Sequence, residues 1–256
     1  MSRRGDGSIG LMTPRSRYLA LFFAALLCVP VLARAAELDK GVFRISLRGR
    51  AMGRENFFID QYSDSIVVQS TVHMIVLTEA GDDSLDKSIS LQVDPFDLNL
   101  RHYESTQKLA GSKVTRGLVM SDTSFASYRE ENGFGSGDVL VRPPGRIFLH
   151  DPDVYVLFDV IARNLHTQTF DSRPITLMVL GARDTTLEIT ATKLGVAPLR
   201  WGARTLQANK LMLADGTNRL LLWCDDRGRL LLFEDPASGL RVERVAPAVK
   251  ARKRAS

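Results

Sequence analysis

The chain has 256 residues, 45% of them hydrophobic and 25% charged, with a formal net charge of +5 and two cysteines. This composition fits an ordered globular protein and excludes a collagen-like, disordered or disulfide-stapled one. The positive charge sits at the ends. Five arginines against one aspartate lie in residues 1–35, and Lys250, Arg252, Lys253 and Arg254 lie in the tail; without both ends the body carries −3. That distribution argues against a nucleic-acid partner, which needs its positive charge on the fold itself.

Arg3, Arg4, Arg15 and Arg17 precede an apolar run from Tyr18 to Leu32, followed by Ala33-Arg34-Ala35. A basic start, a short apolar core and small residues at the end are the layout of a secretory signal peptide. The run is shorter than the roughly 20 apolar residues of a membrane span. Residues 1–35 are therefore expected to be a leader cleaved after Ala35, whether translation starts at Met1 or Met12. The mature chain would be periplasmic, with no transmembrane span. Cys28 falls in the leader, so Cys224 is alone afterwards and reads as a small buried hydrophobe.

Residues 36–245 read as one β-rich domain. Phe43, Ile45 and Leu47 alternate with polar residues, the period-2 pattern of a strand with one wet face. Gly49–Gly53 reads as a turn, with Asn56–Gln61 resuming the strand. Ser65–Val76, a turn at Gly81–Ser84, and Ile89, Leu91 and Val93 before Pro95 continue the series, as do Leu98–Glu104, Lys113–Met120 and Ser124–Glu130. Gly133–Gly137 is glycine-rich. Val139-Leu140-Val141 follows it, a strand pattern, so it reads as a hairpin loop and not a phosphate cradle, which needs a helix start behind it.

Asp151-Pro152-Asp153 carries a capping residue, a proline suited to the first helical turn and an early acid. Val154, Leu157, Phe158, Ile161 and Leu165 then recur at helical spacing, which predicts one helix over about 151–165, with Val156 and Val160 spilling onto its other side. A helix this apolar needs cover, and the concave side of the sheet is the place for it. Strands resume over Ile175–Ala182, Thr185–Lys193, Gly202–Leu213, Arg219–Cys224, Arg229–Glu234 and Leu240–Val245, with an Asp215-Gly216 hairpin pair. Residues 246–256 read as a disordered basic tail, open to contact with anionic lipid.

No pattern names a reaction. His150, Asp151, Asp153 and His166 are plausible metal ligands by type, but a helix length of roughly 20 Å separates the two histidines. No G-x-S-x-G elbow occurs, and neither a cofactor nor a metal is implied.

The elements Asp151–Phe158, Thr185–Lys193, Leu206–Leu213, Leu221–Leu231 and Gly41–Arg54 together resemble a family of uncharacterised secreted bacterial domains related to the LolA/LolB-like half-barrel superfamily. That resemblance implies a single curved antiparallel sheet, a half-barrel, wrapped around one central helix. In the carriers of that superfamily the sheet holds lipid chains; no catalytic residue is implied. The first expectation is a non-enzymatic binding protein for a hydrophobic or amphipathic envelope component such as lipid, lined by Val154, Leu157, Phe158, Ile161 and Trp223. The second is an envelope structural or assembly factor with a packed interior and an envelope protein partner, its polar strand Asp86–Gln92 suited to edge pairing. The third is a hydrolase with a spatially assembled site. A carrier requires an apolar cavity of hundreds of cubic ångströms; a scaffold does not.

Overall fold

The alternating segments pair into one sheet in the computed structural model, which describes residues 35–78, 81–181 and 183–247. All of the expected leader but Ala35, and nearly all of the expected tail, lie outside those residues. The strands are β1 (Ala36–Leu47), β2 (Arg50–Gln61), β3 (Ile66–Thr78), β4 (Gly81–Val93), β5 (Leu100–Leu109), β6 (Ser112–Met120), β7 (Ser124–Glu131) and β8 (Phe134–Val141), then β9 (Ile147–His150). The helix α1 (Val156–His166) follows, then β10 (Ser172–Val179), β11 (Thr185–Trp201), β12 (Arg204–Ala214), β13 (Arg219–Cys224), β14 (Leu230–Asp235) and β15 (Leu240–Arg244).

The order across the sheet is β8-β7-β6-β5-β4-β3-β2-β1-β15-β14-β13-β12-β11-β10-β9. Each strand pairs with its neighbours in sequence, except that β8 and β9 do not pair and lie at opposite edges; in addition β1 joins β15, and α1 intervenes between β9 and β10. The β9–β10 pair is parallel and all others are antiparallel. A parallel pair needs a long crossover, and α1 supplies it. No ladder joins β8 to β9, so the sheet is not closed into a barrel.

Tight turns explain the meander. Arg48-Gly49, Ala110-Gly111 and Asn132-Gly133 each hold both central residues at positive φ, as a type I′ hairpin requires. Two expectations change accordingly. Gly49–Gly53 is not a five-residue turn: β2 starts at Arg50, and Gly53 lies within it. Of Gly133–Gly137, only Gly133 is in the turn; Gly135 and Gly137 belong to β8, where Gly135 sits beneath the Tyr128 ring. Likewise Gly81–Ser84 is the start of β4, paired with Ile75–Thr78.

One core gathers the inward residues of the sheet, among them Phe43, Phe57, Val68, Leu91 and Tyr103, together with the whole apolar face of α1. The helix packs on β9, β13 and β14. A second, smaller cluster of Leu199, Ala208, Leu231 and Leu232, with Trp201 and Trp223 against it, lies apart. Trp201 Nε1 donates to the Arg244 carbonyl at 2.6 Å, tying the β11–β12 hairpin to β15.

The helix starts later than its sequence predicts. Asp153 adopts φ +67°, which no α-helix tolerates, and α1 begins at Val156 with no cap from its own preceding residues. Asp151 is drawn instead into a buried ion pair with Lys87 of β4. The cap comes from β2: the Glu55 carboxylate accepts from the Tyr155 and Val156 amides at 2.8 and 3.2 Å. The strand expected to offer an edge, Asp86–Gln92, is interior, with β3 on one side and β5 on the other.

Candidate functional site

Four of the five expected lining residues come together and the fifth does not. Val154, Leu157, Phe158 and Ile161 are each at most 2% exposed in the main core. The Phe158 ring lies 4.6 Å from Phe233 and 5.4 Å from His150. The void beside Leu157 and Ile161 is about 10 Å³, room for no more than a water molecule. Trp223 lies in the second cluster, with Lys210 Nζ 4.4 Å above its ring and its Nε1 donating to Glu234. Trp223 alternates with the buried Leu222 and Cys224 and so faces away from them.

Buried charges are plentiful but closed off. Lys87 Nζ donates to Asp151 and to the Pro152 carbonyl, and Tyr103 Oη donates to the other Asp151 oxygen. Burial, then the Asp151 charge, pushes the Tyr103 hydroxyl up. Burial also pushes the His150 imidazole down and the Cys224 thiol up. A second network joins Asp39 to Arg163 and Arg244, with Asp159 accepting from Arg163 and from the Leu230 amide. These groups pin α1 and its flanking turns to the sheet. Lys87 and Asp151, each 3% exposed, have no open approach for a substrate.

An open groove of about 560 Å³ lies at the C-terminal end of α1, within the size range of ligand pockets. Its walls come from the β4–β5 turn, the segment before β9, and strands β10 and β11. Asp94 builds the first wall: its carboxylate accepts from the Phe96 amide at 2.8 Å and the Asp97 amide at 3.3 Å, a side-chain turn of the kind aspartate favours. Those amides, the Phe96 one first, and Arg101 hold the Asp94 carboxyl below its usual range. The turn leaves Phe96 93% exposed at the rim.

A polar ladder runs along the groove. Asn164 Oδ1 accepts from Arg146 Nη1 at 2.8 Å and Gln168 Nε2 at 2.5 Å, while Asn164 Nδ2 donates to the Asp97 carbonyl at 2.8 Å. Gln168 Oε1 accepts from Arg173. Arg146 Nε and the nearby Asn99 Oδ1 are buried without a hydrogen-bond partner. Phe96 is the exposed apolar residue of the groove, Phe148, Leu165 and Ile175 being buried in its wall; Arg146 and Arg173 are matched in number by the acids Asp97 and Glu188. The described lining includes no His, Cys, Lys or Ser; its polar groups are Asp97, Arg146, Asn164, Thr167, Gln168, Arg173, Thr176 and Glu188. They offer hydrogen-bond donors and acceptors side by side.

Of the groove residues, Leu165 stood out in the sequence only as part of the apolar helix face, and the polar ones did not stand out at all. Their traces were Asp94-Pro95 and Pro143-Pro144-Gly145, which mark turns but not that the two turns meet.

No family model and no curated protein matches the chain. Among solved structures, the chain is similar to a crystal structure of a DUF1089 family protein from Pseudomonas aeruginosa, at 12% identity and a TM-score of 0.46, covering 72% of this chain and 90% of that one.

Proposed function

We propose that this is a non-enzymatic binding protein of the cell envelope, exported to the periplasm, that holds an amphipathic component in the groove at the end of α1. The observation that carries this reading is the contrast in free space: about 560 Å³ in the groove against about 10 Å³ beside the helix in the core. The sheet is read as a half-barrel curled around α1, as in the superfamily it resembles. On that reading helix and side chains fill the concave side, since the void beside Leu157 and Ile161 is about 10 Å³, and lipid chains would have no room there. Phe96 would meet the apolar part of a ligand, and Arg146, Arg173 and Glu188 its polar head.

The test is to purify the protein from its native envelope under mild conditions, extract it, and look for a stoichiometric small molecule by mass spectrometry. Thr176→Trp obstructs the groove from β10 without touching the core. Loss of the bound molecule in that variant, with unchanged folding, is the expected result. An equal load in Thr176→Trp would place the ligand elsewhere, and no load in either protein would sink the reading.

The filled interior also suits an assembly factor that acts through protein contacts, and a separate feature of the sheet bears on that reading.

A further inference from the structure

The two edges of the sheet are treated differently. The β9 edge is short and buried, and it lies against β5. The β8 edge is left uncovered by the described residues. Seven of its eight residues are exposed, with Phe134 and Val141 at 85% and Val139 at 76%. Val119 on β6 and Tyr128 on β7 extend the apolar surface, at 52% and 45%. Sheet edges in natural proteins are ordinarily blunted by lysine, proline, a bulge or a covering segment. β8 has no lysine and no proline, and its ladder with β7 has no bulge. Its one charge is Asp138.

We infer that β8 pairs with β8 of a second copy of this chain, antiparallel about a two-fold axis, so that the sheet runs on through both molecules. The ladder fixes which groups are free. The Arg142 amide donates to the Thr123 carbonyl on the β7 side at 3.0 Å. By alternation, Gly135, Gly137, Val139 and Val141 turn their N–H and C=O groups outward. A two-fold axis in an antiparallel pair sets one residue opposite its own copy. Centred on Gly137, the register uses nearly the whole strand. It sets Ser136 opposite Asp138, Gly135 opposite Val139, and Phe134 opposite Leu140. It also brings Arg142 of one copy opposite Asn132 of the other, beside Glu130 and Glu131. The register one residue further along overlaps as well, but it puts Asp138 against Asp138, which opposes pairing. Charge therefore selects the Gly137-centred register.

Sedimentation equilibrium on the protein as the cell produces it should give a reversible dimer. Val139→Pro removes an outward N–H that β7 does not use, and the symmetry removes two interface hydrogen bonds at once. Dimerisation should weaken roughly tenfold or more, with the circular dichroism spectrum unchanged. The register has its own test, which does not depend on that variant folding. Ser136→Cys and Asp138→Cys, each alone, should not cross-link on oxidation, whereas an equimolar mixture should give a disulfide-linked dimer. A monomer at the highest soluble concentration overturns the inference. So does a dimer that ignores Val139→Pro and fails to cross-link in the mixture, or one in which either cysteine variant cross-links alone.

Discussion

Lys87 and Asp151 form an ion pair across 64 positions of sequence, each side chain 3% exposed. The pair is the bond between β4 and the turn that leads into α1, and Tyr103 of β5 completes it from the side. A charge this deep is tolerable only while its partner is present. Lys87→Met strands a buried carboxylate and should cost about 3–5 kcal/mol. The double variant Lys87→Met with Asp151→Asn keeps an acceptor for Tyr103 and strands no charge, so it should regain much of that loss. Urea midpoints of the two variants check this. If the single variant is as stable as the double, the pair has no such role.

Glu55 caps a helix that begins 101 residues after it, and it also accepts from Ser70 Oγ at 2.6 Å. Burial pushes its carboxyl from 4.5 up to about 7, against the lowering effect of the three groups that donate to it. The folded value lies above the unfolded one, so the folded state binds more protons between pH 4.5 and 7. Its contribution to stability is full below that window and fades as pH rises through it. Glu55→Gln cannot titrate. Wild-type stability measured against Glu55→Gln should therefore fall by on the order of 3 kcal/mol from pH 4.5 to 8. Parallel stability–pH curves for the two proteins would mean that Glu55 keeps its ordinary pKa.

Much of the sheet was legible because its information is local. Phe43 and Ile45 alternate with wet residues, Pro95 closes β4, and Asp215-Gly216 marks a hairpin, so strands and turns follow from near neighbours. What escaped depends on distance. Asp151 reads as a helix cap until Lys87, far away in sequence, claims it, and Glu55 looks like an ordinary strand residue until β2 meets the start of α1. The greasy face of α1 was visible, but whether it lines a cavity or fills it depends on volumes contributed by many strands. The groove draws on five separate segments, and no periodicity links them.

Gly53 gives a steric test of the β2–β3 register. A Cβ there would stand 2.2 Å from the His73 carbonyl oxygen and 2.4 Å from the Met74 Cβ. The obstruction is mostly backbone, so the neighbours cannot rotate away. Gly53→Ala should cost roughly 1–3 kcal/mol, the scale of overpacking. Gly117 on β6 is the control, because the nearest atom to its Cβ is 4.0 Å away. Gly117→Ala should be neutral or stabilising by about 0.4–1 kcal/mol. Equal thermal midpoints for the two variants would contradict the close approach of β2 to β3.

Asp39 makes the opposite pH prediction to Glu55. Its carboxylate joins three elements: one oxygen accepts from Arg244 of β15 at 2.5 Å, the other from Arg163 of α1, and Asp39 itself belongs to β1. Burial by itself would raise this carboxyl, but Arg244 and then Arg163 hold it below 3.8. A lowered folded value means that the stabilisation is present above the unfolded pKa and is lost as pH falls through the folded one. Asp39→Asn should cost on the order of 3 kcal/mol at pH 7, since Arg244 and Arg163 lose a shared counter-charge. The gap to wild type should then narrow as pH drops below 3.8. The gap to wild type thus changes in different pH windows: for Glu55→Gln it shifts as pH rises above 4.5, and for Asp39→Asn it closes as pH falls below 3.8. A gap for Asp39→Asn that stays constant from pH 7 to pH 3 would show that the side chain acts by shape and not by charge.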